Sequence, residues 1–420
     1  MAKKTIEIGT RPTSDLDDVI DEQFGNLTDL SKVDTKVKLW YSWGIYSLNY
    51  ISSKDIHSGV PAGRITSVKG LNSTGKSLLL ASLAKDPKID KIVAIGSEGG
   101  GLSAELFEFA QAPLNKIRIS QYASFASYKI KKSNGEVEEV PDSKFPVKAD
   151  SDDYRYIEGA TRFIRRFINA IEFKGIKTNI VIMLDSLANM KSVREIAGGQ
   201  DMSSRAKDIN NFFGVFDNAF ERTNIAFIFT NKLYTNLGNQ WDPWVEAGGQ
   251  GAIYNPSLSL LLADSAVTNS RDKTDKEVDD EKARRKTALG SSLKLIKATV
   301  DKSRFGTEMR NISFLIDMAF GPVRLSGLFQ LCEDFGVLVK SGNNYTLPGV
   351  IDKSFFKKDF ISIIEADETN IINKLQKKLE EAEAKIKATK QNFQASDLDD
   401  IPVDADMSTI TKQMEADLDV

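Results

Sequence analysis

From Ile65 to Lys85 the chain reads ITSVKGLNSTGKSLLLASLAK, an apolar run of strand length, a segment of the form G-x-x-x-x-G-K-S, and an apolar helical pattern. A strand that turns from Gly70 through Gly75 directly into a helix leaves the N–H groups of the turn pointing inward, and the helix adds its positive end to the same spot. An anion belongs there. With strand and helix both in register, the spacing is that of a P-loop, and a chance glycine turn is the bland alternative. The expected ATP-binding residues are Gly70, Asn72, Ser73, Thr74, Gly75, Lys76 and Ser77. Lys76 would supply a point charge to the β and γ phosphates, and the Ser77 hydroxyl a hard oxygen for Mg2+.

This segment opens a longer alternation. Between Asp55 and about Leu262, ITSVKG, KIVAIG, NIVIML, NIAFIFT and LSLLLA alternate with helical patterns, which predicts an α/β fold with a mostly parallel central sheet covered by helices. NIVIMLDS ends in Asp185, an aspartate placed at a strand tip to hold the magnesium water shell beside Ser77. No second carboxylate follows it, so the base that activates water has to come from elsewhere. Glu98, after KIVAIGS, is the candidate, with an ordinary loop glutamate as the alternative. Asn231 and Lys232 end NIAFIFTNK and could report the γ phosphate, or simply terminate the strand.

Composition narrows the chemistry further. A chain of 420 residues allows one large domain with appendages or two ordinary domains. It carries no run of about 18 apolar residues, so no membrane insertion is expected. MAKKTIEIGT lacks the apolar stretch of a secretory signal, and the lone Cys332 suits a reducing cytoplasm, that of the host if the source is viral. One histidine, His57, and one cysteine make a zinc cluster or a Ser-His-Asp triad untenable. The net charge of -3 gives no global attraction to nucleic acid, so any DNA binding needs a local basic and aromatic surface.

Outside the core, residues 1–35 are polar and acidic and read as an arm that docks on a neighbour. Residues 128–153 read as an inserted hairpin or loop, and 271–287 as a surface loop before the strand LKLIKATV. A charged helix is expected over about 370–390, and 395–420 reads as a disordered acidic tail. The resulting domains are an N-terminal polymerisation arm (1–54), the core (55–345), a C-terminal helical region (346–394) and the tail (395–420).

In order, DIHSGVPAGRI, the P-loop, the strand with Glu98, LDSLANM, the strand ending in Thr230 and Asn231, GGQG, DKSRFG and GPVRLSGLFQLCEDFGVLVKSG resemble the RecA family of recombinases. The likeness is closer to the UvsX-type recombinases of tailed bacteriophages and covers about Asp55 to Lys340. It implies a RecA-like P-loop ATPase core and a helical filament of the protein on single-stranded DNA, pairing it with homologous double-stranded DNA. Single-strand-binding and loader proteins are the further partners implied. The resemblance also implies two DNA-facing loops. One, about 190–204, contains Lys191, Arg194, Gly198 and Gly199; the other, about 234–251, contains Tyr234, Trp241, Trp244, Gly248 and Gly249. Aromatic, glycine-rich loops suit single strands because rings stack on bases. Core tryptophans in a compact turn are the alternative. Lys302 and Arg304 match the family's cations that reach across to a neighbouring subunit's ATP. One residue apart, they would share one strand face, as would an ordinary solvated pair. Lys232 departs from the glutamine or histidine of relatives. A ring helicase on the same fold, or a regulatory P-loop protein that never touches DNA, are the rival functions.

Overall fold

The apolar runs named above become strands, and their β-branched and aromatic side chains are buried on both faces of one sheet, as inner parallel strands require. The structure is a computed structural model and describes residues 36–97, 101–119, 127–131, 137–141, 157–192, 195, 202–235, 244–264, 293–317 and 320–391. The chain opens with β1 (Trp40–Tyr41), α1 (Tyr46–Ser53), β2 (Val60–Pro61), β3 (Ile65–Gly70), α2 (Lys76–Leu83), β4 (Lys91–Gly96), α3 (Ala104–Phe109) and β5 (Ile117–Ile119). A hairpin of β6 (Ser127–Lys131) and β7 (Val137–Pro141) follows, within the inserted stretch. Next come α4 (Ile157–Lys174), β8 (Ile180–Asp185), α5 (Met202–Thr223), β9 (Ala226–Thr235), β10 (Trp244–Glu246), α6 (Gly249–Tyr254) and β11 (Leu258–Asp264). The C-terminal part holds β12 (Leu293–Ser303), β13 (Asn311–Asp317), β14 (Gly321–Pro322), α7 (Leu328–Asp334), β15 (Val339–Ser341), β16 (Asn344–Leu347), β17 (Ile351–Phe356), α8 (Phe360–Ala366) and α9 (Glu368–Gln391).

The central 10-stranded sheet runs β14-β13-β12-β11-β3-β9-β8-β4-β5, with β10 added antiparallel on β9. From β11 to β5 every pairing is parallel, and β12, β13 and β14 extend the β11 edge antiparallel. The fold is therefore α/β with a large, mostly parallel central sheet. β3 lies inside the parallel set, so the segment after Gly70 emerges at the carboxyl ends of the strands, where α/β sheets leave a crevice.

The two faces are packed differently. On one, α4 and α5 bury Ile164, Ile168, Phe212, Phe213, Phe216 and Phe220 against Phe227 and Phe229 of β9, with Phe220 stacked on Phe227 at 5.2 Å between ring centroids. On the other, residues of α1, α2, α7 and α9 share one cluster with alternate residues of the same strands, among them Val68, Met183, Ile228 and Leu260. Full burial of one such side chain is worth about 1.5–3 kcal/mol, so both layers are needed to hold the sheet.

Two expected boundaries move. The chain divides into Met1–Lys38 and Leu39–Val420, so residues 39–54, expected in the arm, belong to the second unit. Tyr41, Trp43, Ile45, Leu48, Tyr50 and Ile51 are buried in the second unit, because the leucines, isoleucines, tryptophans and tyrosines of KLWYSWGIYSLNYI carry too much apolar surface for a solvated arm. The region 346–394 is not wholly helical either: β16 and β17 form a three-stranded antiparallel sheet with β15 before α8 and α9. The surface that stabilises the charged α9 is the core itself, where Ile372, Leu375 and Leu379 join the cluster of α1. Residues 1–35, 271–287 and 395–420 lie outside the described residues.

Candidate nucleotide site and neighbouring surfaces

Gly70 ends β3 and Gly75 caps α2, so the strand, turn and helix expected from the motif are all present. A Cβ on Gly70 would lie 2.3 Å from the Leu262 carbonyl oxygen of β11, and only glycine lets the two backbones pass. Asn72 and Ser73 are exposed, whereas Lys76 and Ser77 are half-buried under them. The Lys76 ammonium donates to the carbonyls of Gly70 (2.9 Å) and Leu71 (2.6 Å), so the turn folds around a cation. Lys294 of β12, which sequence reasoning did not single out, donates to the Ser73 carbonyl at 3.1 Å.

Asp185 ends β8 and is only 3% exposed. Its Oδ1 accepts a hydrogen bond from the hydroxyl of Thr230 on β9, the strand between β8 and β3. The carboxylate thus leans toward β3 over a neighbour that pairs with Val68. The Asp185–Ser186 peptide is cis. Ser97 ties the tips of β4 and β8 together: its N–H donates to Asp185 O (2.8 Å), its hydroxyl to Ser186 O (2.5 Å), and the Ser186 N–H donates back to that hydroxyl (2.8 Å). Glu98, the next residue, lies outside the described residues.

The residues present fit a triphosphate with magnesium. A close backbone turn, a helix N-terminus and a lysine supply the phosphate cradle. Ser77 and Asp185 offer one hydroxyl and one carboxylate, both hard oxygens. Among the described residues no group of three or more His, Cys, Asp or Glu side chains could hold a metal. Mg2+, which keeps waters and takes phosphate oxygens, needs no more than such a donor pair.

Asn231 is fully buried and faces a different neighbour from the one expected. Its amide donates to Glu246 (2.9 Å) and to the Ala247 carbonyl (2.7 Å) on the far arm of the β9–β10 hairpin. Lys232 is the residue paired with Gly70, and its ammonium donates to Asn189 (3.2 Å), just before the first of the two expected loops.

Of the residues assigned to the first loop, Lys191 is exposed, while Arg194, Gly198 and Gly199 lie outside the described residues, as does Trp241 of the second. Tyr234 and Trp244 project from the paired ends of β9 and β10, 52% and 39% exposed, so Trp244 is not a core tryptophan; Trp43 is. Gly248 caps α6 at φ +93°, where a Cβ would meet Ile209 and Ala252 at 3.2 and 3.3 Å. Turn geometry and packing account for that glycine without any phosphate. Gly249 follows it, also at positive φ.

Lys302 and Arg304 do not share a strand face. β12 ends at Ser303, and Arg304 opens the turn beyond it, exposed. Lys302 donates to the carbonyls of Ile253 (3.2 Å) and Tyr254 at the end of α6. Arg304 N–H bonds Ser257 O, and Ser257 N–H bonds Ile65 O, so Arg304 is level with the start of β3. Five residues of strand separate that level from Gly70, roughly 16 Å, more than an arginine side chain spans. Within one chain Arg304 does not reach the turn at Gly70. No protein-family model matches the chain, and no curated protein matches it.

Proposed function

We propose that this chain is a RecA-type DNA-dependent ATPase that forms a helical filament on single-stranded DNA and pairs it with a homologous duplex. The observation that carries this reading is the pairing of two opposite ends: a phosphate turn with Lys76, Ser77 and Asp185 at one end of β3, and a solvent-facing Arg304 at the other. A head-to-tail contact between copies brings such ends together, and heterologous contacts of that kind generate helical filaments. Lys76 and the turn's N–H groups bind and orient the phosphates, and Asn72 and Ser73, exposed at the rim, are available to the neighbouring copy. When bound, Mg2+ neutralises phosphate charge. Glu98 is proposed to accept the proton of the attacking water, and Arg304 of the adjacent copy to stabilise charge that develops in the transition state. Tyr234 and Trp244 offer exposed rings to unpaired bases.

The test is ATP turnover with and without single-stranded DNA, together with electron microscopy using a slowly hydrolysed ATP analogue. Stimulated turnover and open helical filaments are expected. Rings of fixed size would point to a helicase, and turnover indifferent to DNA to a regulatory binding protein.

A further inference from the structure

Lys69 is the charged residue in the otherwise apolar and small ITSVKG of β3, one position before the phosphate turn. Its side chain is only 10% exposed. The ammonium sits 2.9 Å from Glu246 Oε2 and 2.6 Å from Asp301 Oδ2. Glu246 belongs to β10, the return arm of the hairpin that carries Trp244, and is 4% exposed. Its other oxygen takes the amide of Asn231, next to Lys232. Asp301 immediately precedes Lys302, and the β11–β12 register shifts around it, from Leu260↔Val300 to Ser259↔Lys302. Three elements that are remote in sequence therefore close on one ammonium.

We infer that Lys69 is a positioning residue that couples the aromatic hairpin to the phosphate turn and to the cations at the end of β12. This rests on the DNA-dependent reading above and names its internal link. A buried ammonium shared by two carboxylates cannot lose one of them without leaving a charge uncompensated in a poorly solvated place, so the elements that carry the charges shift together. Displacement of the hairpin by a strand bound at Tyr234 and Trp244 moves Glu246. Lys69 transmits it along β3 into Gly70 and across to Asp301, and so to Lys302. Burial alone would lower the pKa of Lys69, but Glu246 and the bonds to Asp301 outweigh it and raise it, so the cation stays charged through the neutral range.

The experiment measures ATP turnover with and without oligo-dT, affinity for a fluorescent ATP analogue without DNA, and Tm, in wild type, Lys69→Met and Asp301→Asn. Analogue affinity and DNA-free turnover are expected to stay within about twofold, while stimulation by DNA falls about tenfold in Lys69→Met, the scale on which network residues alter coupling. A merely structural lysine would lower Tm and both turnovers together and leave their ratio unchanged. Asp301, 41% exposed, can be changed without burying a lone charge, so Asp301→Asn carries the test if Lys69→Met does not fold. Its stimulation is expected to fall severalfold. A wild type that responds to DNA, with an Asp301→Asn that responds equally, overturns the coupling and leaves the functional reading intact. A wild type indifferent to DNA removes the functional reading, and the coupling with it.

Discussion

The two ends of β3, β11 and β12 are built in opposite ways. At the Gly70 end, one uninterrupted stretch, Gly70 to Ser77, makes the turn, the helix start and the cation, and Lys294 of β12 adds a bond to the Ser73 carbonyl. At the other end, the turn from Arg304 to Arg310 is braced from elsewhere in the chain. Thr307 donates to the Ser52 carbonyl, Arg310 pairs with Glu383 at 2.6 Å, and Lys54 approaches the same carboxylate at 3.4 Å. Glu383 lies on α9 and Lys54 just after α1. A local motif binds wherever a strand and helix can form, but a braced turn holds its cation in place only if the whole domain is assembled. The difference suits the proposed division of the site between two copies, in which the donor of the cation would have to be folded before it could serve its neighbour.

The sharpest way to break this comparison is Lys76→Ala. It removes the charge around which the turn folds, and it is expected to weaken nucleotide binding by a factor of about a hundred or more, as loss of a preorganised electrostatic contact does. A fluorescent ATP analogue reads this directly, and near-normal affinity would mean that the turn is not the nucleotide site. Arg304→Ala should act at the other end. Analogue affinity of dispersed subunits is expected to stay within about twofold, while DNA-stimulated hydrolysis falls about a hundredfold. Mixing Arg304→Ala subunits with Glu98→Gln subunits should restore part of the activity, since each supplies what the other lacks. No recovery at any ratio would show that the two ends do not meet across an interface.

A smaller effect is expected from acid. Burial raises the pKa of Glu383, but the bond and charge of Arg310 and the charge of Lys54 outweigh it and hold the carboxyl below its ordinary value of 4.5. A group whose pKa is depressed by folding stabilises the protein above its unfolded value, and that contribution is lost as pH falls through the folded one. Wild type should therefore lose Tm more steeply than Glu383→Gln as pH is lowered from about 5 to 3, by a few degrees at most for a partly solvated cluster. Parallel curves would mean that the ion cluster does not brace the Arg304 turn.

Much of the core was legible because its signals are local. KIVAIG, NIVIML and LSLLLA are apolar on both faces, which only an inner strand tolerates, and they are β4, β8 and β11. The turn at 70–77 was legible for the same reason. Nothing local marks Lys69, since a lysine at the end of an apolar run ordinarily snorkels to solvent and its two carboxylates come from residues 246 and 301. A strand that ends at Asn231 would leave its amide open to a phosphate, yet β9 runs on to Thr235 and β10 folds back beside it, where Glu246 takes the amide. The shared strand face expected for Lys302 and Arg304 depended on where β12 stops, and a register shift and a turn decide that.

What the amino-acid sequence by itself determined is the strand-and-helix alternation and the glycine-flanked turn between β3 and α2, since each follows from hydrogen-bonding and side-chain patterns within a few residues. Only the tertiary structure decided that residues 39–54 and α9 share one core, that a buried lysine joins three elements, and that Arg304 lies a strand's length from the phosphate turn of its own chain. Those arrangements depend on pairings between residues tens to hundreds of positions apart, and their energies exist only once the sheet has brought the partners within reach.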